Sequence, residues 1–453
     1  MNPLARHIVR LLLSFLLLAA TAATAQTEQV MVNRIIGQLK AFPQEKTYTH
    51  VDVADYAAGD RIWLKVYVVN ALSHQPTSES LYAYVELIAP DEAMTTRARI
   101  LCRDGIYAGY IDIPPSTPSG RYLVRSYTEL SANVPGYESV VPVYITGRGK
   151  ARTTKPSNAS KSTQDDAASL IQYTRQGELI RITTPSPADS LYLLAHCRAY
   201  PFIIVPISQQ RPVVLHRDSI PQGIVSLLLV NHRQQVLSER LLRSDNSQEQ
   251  CQVIIQSDKE EYKPSEPIAL TLTAPDLQEG ELADISISIT GPKLVQRHRP
   301  SSIVTTLLYA TDVSDGIDAV ALANSDVQGA DALLSHQHWT RYDFSRMLRG
   351  DYVSPDHLAE TSHTISGRVR TAILRRPVGE CHRQSHLPAG GHFCVRYHRH
   401  RRTLLHPWNG FPQWYAIRAT RHRFQWEGQC RTPVGREGTS RLRDAAALRP
   451  CCR

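Results

Sequence analysis

The sequence predicts an all-β protein: tandem antiparallel β-sandwiches after a short helical N-terminal segment, ending in an unstructured C-terminal tail. Three observations predict it. Short runs rich in β-branched and aromatic residues, such as Ile62-Trp63-Leu64-Lys65-Val66-Tyr67-Val68, recur between turn signals through most of the chain. A pattern of acids, tyrosine and aliphatics occurs twice: Asp52, Tyr56, Asp60, Ile62 and Leu64 return as Asp258, Tyr262, Glu266, Ile268 and Leu270, at a constant offset. The one long apolar run lies at the N-terminus, and no later segment is apolar enough to span a bilayer.

That N-terminal run has the form of a secretory signal. Arg6, His7 and Arg10 precede Leu11–Leu18, and Ala23-Thr24-Ala25 offers the small-x-small site that signal peptidase accepts. Residues 1–25 are read as a cleaved signal peptide. In residues 26–42, Met31, Ile35, Leu39 and Phe42 share one helical face, and Pro43 stops the helix.

Residues 43–147 read as one sandwich. Its strands are Ile62–Val68, Leu81–Leu87, Arg97–Arg103, Ile106–Ile113, Arg121–Tyr127 and Ser139–Ile145. Asp104-Gly105 suits the positive φ values of a tight hairpin turn. Residues 148–169, rich in Lys, Ser, Thr, Asp and Ala, read as an exposed linker that carries the sequon Asn158-Ala159-Ser160. A second sandwich covers 170–250, with Leu191–Leu194, Phe202–Val205 and Ile224–Val230 as its apolar runs. A third, incomplete β domain covers 251–299, where Ile285, Ile287 and Ile289 alternate with Ser286 and Ser288 as a half-buried strand. Residues 300–363 are a helical and loop connector, and 364–379 hold the first strand of another β domain.

Residues 380–453 differ sharply from the rest. Between positions 371 and 453 there are 16 Arg and no Lys against four acids, whereas positions 1–370 hold 35 basic and 38 acidic side chains. The formal charge of +9 therefore resides in the tail, and the body is near neutral. The turn in composition after Gly379 reads as a frameshift product with no evolved fold. Codons compatible with Tyr397–Leu405, read one nucleotide later, give Thr-Thr-Asp-Thr-Asp-Gly-Arg-Phe-Phe, a hairpin-like sequence.

No chemistry emerges from the motifs. The chain has no Gly-x-Ser-x-Gly elbow, no His-Glu-x-x-His and no phosphate-cradling glycine loop. Cys381, His382, Cys394, His398 and His400 are soft or borderline ligands, but the cysteines stand thirteen apart and the last two histidines only two apart, unlike paired zinc ligands. The expectation is no metal, no cofactor, no catalytic residue and no nucleic-acid partner. Asp52, Asp60, Asp258 and Glu266 read as solvated turn acids, and His50 and Trp63 as sandwich packing or surface. Cys102, Cys197 and Cys251 form no disulfide framework.

Three stretches carry a family resemblance: Lys46–Asp52, Tyr56–Lys65 and Pro118–Thr128. With Trp339–Phe344 and Ile365–Val369, they make the chain similar to large secreted Bacteroidetes proteins with macroglobulin-like MG2 domains. Such proteins continue into carboxypeptidase-regulatory-like and TonB-dependent receptor plug domains, and this chain reads as C-terminally truncated by comparison. The resemblance implies a non-enzymatic binding or scaffolding protein of the cell envelope, periplasmic or outer-membrane associated. Its implied partner is a protein, either an outer-membrane transporter or a protease. The alternative it implies is a macroglobulin-like endopeptidase inhibitor, with residues 147–169 as the segment a protease would cleave. Gly379-Glu380-Cys381-His382 has the wrong order for a thioester, so any inhibitor would lack one.

Overall fold

The structure, a computed structural model, describes residues 26–148, 169–188, 190–245, 253–263, 266–277, 283–289, 301–313 and 318–362, and short strands between 367 and 427. Residues 1–25, expected to be a signal peptide, most of the expected linker with its sequon, Cys251 and most of the tail lie outside the described residues. The chain divides into two compact units, Gln44–Ser157 with Ile289–Pro300 and Pro355–Arg453, and Met1–Pro43 with Asn158–Ser288 and Ser301–Ser354.

In the first of these, eight strands make a sandwich: β1 (Glu45–Val51), β2 (Asp55–Ala57), β3 (Arg61–Asn70), β4 (Tyr82–Ile88), β5 (Met94–Leu101), β6 (Tyr107–Asp112), β7 (Gly120–Tyr127) and β8 (Ser139–Thr146). One sheet has the order β1-β3-β6 and the other β2-β8-β7-β4-β5. All pairings are antiparallel except β2 with β8. Alternation drives the closure: Ile62, Leu64, Val66 and Val68 of β3 face Ala83, Val85, Leu87, Tyr122, Val124, Val143 and Ile145 in one core. Each such buried aliphatic contributes about 1.5–3 kcal/mol.

The Asp104-Gly105 turn forms with φ of 52° and 80°, and Arg103 and Ile106 exchange backbone hydrogen bonds of 3.0 and 2.9 Å. It does not join neighbours of one sheet, as the hairpin reading expects. β5 pairs with β4, and β6 pairs with β3, so the turn carries the chain from one sheet to the other. β1 escapes the sequence reading because Glu45, Lys46 and Thr47 are polar yet buried. Glu45 Oε2 accepts from Ser80 Oγ at 2.7 Å and Thr128 Oγ1 at 2.6 Å, and Lys46 Nζ lies 3.1 Å from His74 Nε2.

In the second unit the N-terminal helix occupies residues 26–41. Met31, Ile35, Leu39 and Phe42 are buried, as one apolar face requires. Gln38 clamps Val353 through two bonds, Nε2 to Val353 O at 2.8 Å and Val353 N to Oε1 at 2.7 Å. The sandwich here comprises β9 (Gln172–Gln176), β10 (Leu179–Thr183), β11 (Leu191–Cys197), β12 (Tyr200–Ile207), β13 (Val213–His216), β14 (Gly223–Asn231) and β15 (Val236–Ser244). Its sheets run β13-β10-β9 and β12-β11-β14-β15. Between them Ile180, Ile182, Leu193, Ala195, Val225, Leu227 and Leu229 form the core.

A separate hairpin of β16 (Ile254–Ser257) and β17 (Leu270–Thr273) follows. Residues 283–289 run outside the assigned strands, and Ile285, Ile287 and Ile289 are exposed, which corrects the expected half-buried strand. Helices Ala319–Asn324, Val327–Leu334 and Phe344–Arg349 start at Asp318, Asp326 and Asp343, whose carboxylates accept from first-turn N–H groups. Gly350, with φ of 77°, ends the last of them in the left-handed conformation that glycine adopts at low cost.

Beyond residue 363 come β18 (Gly367–Thr371), β19 (Pro377–Cys381), β20 (His392–Arg396), β21 (Thr403–Pro407), β22 (Arg418–Ala419) and β23 (Phe424–Glu427). β18 pairs with β19 and β23, β20 with β21, and β22 with β23. A ladder uses backbone N–H and C=O groups, which every non-proline residue carries whatever its side-chain pattern.

Candidate functional site

The two copies of the acid–tyrosine repeat fold into the same corner. In the first copy Tyr56 Oη donates to Asp52 Oδ1 at 2.6 Å and accepts from Val53 N at 3.4 Å. Asp52 Oδ1 also accepts from Trp63 N at 3.2 Å, while Asp60 Oδ2 accepts from Ala57 N at 2.7 Å. In the second copy Tyr262 donates to Asp258 Oδ1 at 2.5 Å and accepts from Lys259 N at 3.0 Å. Asp258 Oδ1 accepts from Ala269 N at 3.0 Å, and Glu266 Oε2 from Lys263 N at 2.8 Å.

Strand register agrees as well. Val51 pairs with Leu64 and Tyr48 with Tyr67; Ser257 pairs with Leu270 and Ile254 with Thr273. Every partner is displaced along the chain by the same offset as the acids and tyrosines. The acids that read as solvated turn residues are therefore bonded to backbone, and they hold a bend that feeds a strand. Burial, then the Asp52 bond, pushes the Tyr56 phenol far above its ordinary range, so it stays a donor. Hydrogen bonds from Tyr262 and Ala269 lower Asp258, and those from Lys259 and Lys263 lower Glu266.

The outer face of the β1-β3-β6 sheet is aromatic and cationic. Trp63 is 52% exposed, its ring 5.0 Å from that of Tyr110 in an edge arrangement. The Arg61 guanidinium lies 3.5 Å from the Tyr110 centroid and pairs with Asp112 at 2.9 Å. On the same face Tyr48 and Tyr67 lie 6.2 Å apart, with Lys65 Nζ 4.6 Å from the Tyr67 centroid. Burial and the neighbouring Lys65 lower His50. Sequence reasoning weighed Trp63 and His50 one by one; the pairing of β3 with β1 and β6 gathers them into a patch.

A polar cluster on the outer face of the β12-β11-β14-β15 sheet, beneath Trp339 and Phe344, had no signal in the sequence. His196 is fully buried, stacked on Phe344 at 4.1 Å and edge-on to Trp339 at 5.1 Å. Burial pulls its imidazole down to about 3. Ser226 Oγ donates to Glu239 Oε1 at 2.6 Å, Trp339 N donates to the same oxygen at 3.2 Å, and His338 Nδ1 lies 3.4 Å from Glu239 Oε2. Burial raises Glu239. The serine donates to a carboxylate rather than to an imidazole, and neither His196 nitrogen has a hydrogen-bond partner among the described residues. That arrangement activates no nucleophile.

Among the described residues no group of three or more His, Cys, Asp or Glu side chains is placed to hold a metal ion. Cys381 ends β19 and Cys394 lies within β20, while His382, His398 and His400 lie outside the described residues. Cys102 and Cys197 form no disulfide among the described residues. No helix among the described residues is long and apolar enough to cross a membrane.

The fold defines a string of antiparallel β-sandwiches with bonded acid–tyrosine corners. No protein-family profile matches the sequence, and no curated protein matches it. Similar solved structures include trypsin-activated alpha-2-macroglobulin from Escherichia coli, 8% identical over 47% of this chain and 16% of that one, with a TM-score of 0.20. Salmonella alpha-2-macroglobulin reacted with methylamine is 11% identical over 48% and 15%, at 0.20. Dimeric latent PorU from Porphyromonas gingivalis is 9% identical over 48% and 25%, at 0.17. The chain thus spans a small part of the macroglobulins, and likenesses at these TM-scores carry no argument about activity.

Proposed function

We propose that this is a non-enzymatic binding or scaffolding protein of the bacterial cell envelope, which engages a protein partner through the outer face of its first sandwich. The observation that supports this reading is the half-exposed Trp63, set beside Tyr110 and Arg61. Trp, Tyr and Arg dominate binding energy at protein interfaces. Here the ring contacts and the Arg61–Asp112 pair hold the side chains in place before any partner arrives, which lowers the entropy cost of docking. In a longer form carrying a plug-like module, the partner would be an outer-membrane transporter.

Site-specific photo-cross-linking tests the proposal, with a reactive residue at position 63 or 110 of the full chain expressed in cells. A discrete adduct with one envelope protein, lost in Arg61→Ala, is the expected result. No adduct from either position in the exported protein overturns it, as does turnover of esterase, peptidase or glycosidase substrates by the purified chain. Cleavage within residues 147–169 with loss of the protease's activity would instead establish the inhibitor reading.

A further inference from the structure

The outer face of the β2-β8-β7-β4-β5 sheet carries a second patch, on the opposite side of the first sandwich from Trp63. Strands β4, β5 and β7 hold four arginines, Arg97, Arg99, Arg121 and Arg125, against one acid, Glu86. Register puts them on one side: Glu86 stands opposite both Arg97 and Arg125, and Tyr84 opposite both Arg99 and Tyr127. The alternate residues Ala83, Val85, Leu87, Tyr122 and Val124 fill the core, so this side faces outward. The acids nearest in the sheet, Asp55 and Glu138, stand in β2 and just before β8.

Two guanidiniums share the Glu86 carboxylate. Arg125 Nη2 lies 2.6 Å from Oε2 and Arg97 Nε 3.4 Å from Oε1. The Glu86 side chain is only 7% exposed, against 34% for Arg97 and 41% for Arg125, so an incoming anion meets arginine rather than the acid. One carboxylate also accepts fewer bonds than two guanidinium forks can donate. Arg97 lies 4.4 Å from the Tyr84 centroid, and that ring stacks on Tyr127 at 5.5 Å, which fixes the arginine in place. At the Tyr84 end a carboxylate of this chain already sits on the patch. Tyr84 Oη donates to Glu360 Oε2 at 2.6 Å, and Glu360 O accepts from Leu81 N at 2.6 Å.

We propose that this face binds an extended acidic segment of a partner protein, with carboxylates on alternate residues. The excess of arginine over acid selects an anion, and arginine suits planar carboxylates because it can hold them with two parallel bonds. Glu360 selects a peptide, since its side chain and its backbone carbonyl are held together at one end of the patch. An extended chain presents every second side chain on one side, at intervals of about 7 Å. Arg97 and Arg99 have that spacing along β5, and Arg125 and Arg121 stand at twice it along β7. The surface is separate from the Trp63 face, and either reading can fail without the other.

The test is fluorescence anisotropy of the full chain with a fluorescein-labelled peptide of alternating Glu and Thr, at physiological salt. Saturable binding is expected, weakened roughly tenfold or more by Arg121→Glu, which sets like charges against each other. That variant leaves Glu86 both of its arginines, so it should keep the wild-type circular dichroism spectrum, and Arg121→Lys should keep most of the affinity. Arg61→Ala, on the opposite sheet, should change nothing. A photo-reactive group at the centre of the peptide should attach within Tyr82–Leu101 or Gly120–Tyr127, a readout that depends on no variant. The absence of saturable binding overturns the proposal. Binding that Arg121→Glu leaves unchanged, or adducts confined to the Arg-rich tail, overturns it as well. So does equal affinity for dextran sulfate, or for a peptide with the same residues sorted into a Glu block and a Thr block, because charge alone would then suffice.

Discussion

Tyr56 donates its hydroxyl to Asp52 Oδ1 at 2.6 Å, and Tyr262 donates to Asp258 in the same way in the second copy of the repeat. The carboxylate in each case also accepts a backbone N–H from the strand that follows, that of Trp63 or Ala269. The bend between acid and tyrosine is thereby bonded to the strand it feeds, which sets where the hairpin begins and which side chains face the core. Two copies with the same bonds and register also argue that the motif is a building unit of the fold rather than a ligand site.

Removing the first corner's bonds should unsettle the first sandwich. Tyr56→Phe deletes one buried hydrogen bond to a carboxylate and should cost about 1.5–3 kcal/mol. Asp52→Ala should cost more, since it also strands the Trp63 N–H. Urea unfolding followed by circular dichroism measures both. Tyr262→Phe should change global stability little, because its corner holds an exposed hairpin; a loss equal to that of Tyr56→Phe would show that the hairpin is buried in solution.

His196 should make the second unit acid-sensitive. Its imidazole sits near 3 when folded and near the ordinary 6.5 when unfolded, so below neutrality the unfolded chain binds the extra proton. The contribution is fully present above about pH 6.5 and is lost as pH falls toward 3, on the order of 5 kcal/mol in all. His196→Phe should flatten that slope while preserving the stack on Phe344. Unfolding midpoints between pH 7 and pH 3 decide it, and equal slopes for both proteins would be the contrary result.

Glu45 should act with the opposite sign in the first sandwich. Burial raises its carboxyl despite the bonds from Thr128 and Ser80. A raised group contributes stability that is present below the unfolded value and is lost as pH rises through the folded one. Glu45→Gln keeps an oxygen acceptor for both hydroxyls, so it should be more stable than wild type at pH 8 and should lose the dependence between pH 4 and 8. Thermal melts across that range are the measurement.

Gly105 should tolerate bulk but not the backbone penalty. Its φ is 80°, and a Cβ there would meet nothing within 4 Å. Gly105→Ala should therefore cost about 1–2 kcal/mol from the left-handed conformation alone, with no steric addition. Gly105→Asn should recover part of this. Differential scanning calorimetry of the two variants separates the contributions.

Much of the fold was legible locally. The helix over residues 26–41 announced itself through Met31, Ile35, Leu39 and Phe42, since a helical period needs no tertiary information. The Asp104-Gly105 turn and the strands flanking it were readable for the same reason. The acid–tyrosine repeat was visible as residue types, although the bonds joining its acids to tyrosine and backbone were not. β1 was missed because Glu45, Lys46 and Thr47 are polar, and their burial depends on Ser80, Thr128 and His74 from distant segments.

By itself, then, the sequence determined the period of each element, the turns between them and the existence of two related corners, because these rest on neighbouring residues. Only the tertiary structure decided that β5 and β6 part into different sheets. It also decided that Trp63, Tyr110 and Arg61 share a face, that His196 lies buried and stacked on Phe344, and that Ile62 and Leu64 of the first copy are buried where Ile268 and Leu270 of the second are exposed. Those outcomes turn on which strands pair and which surfaces close against each other, and pairing between residues far apart in the chain leaves no local trace.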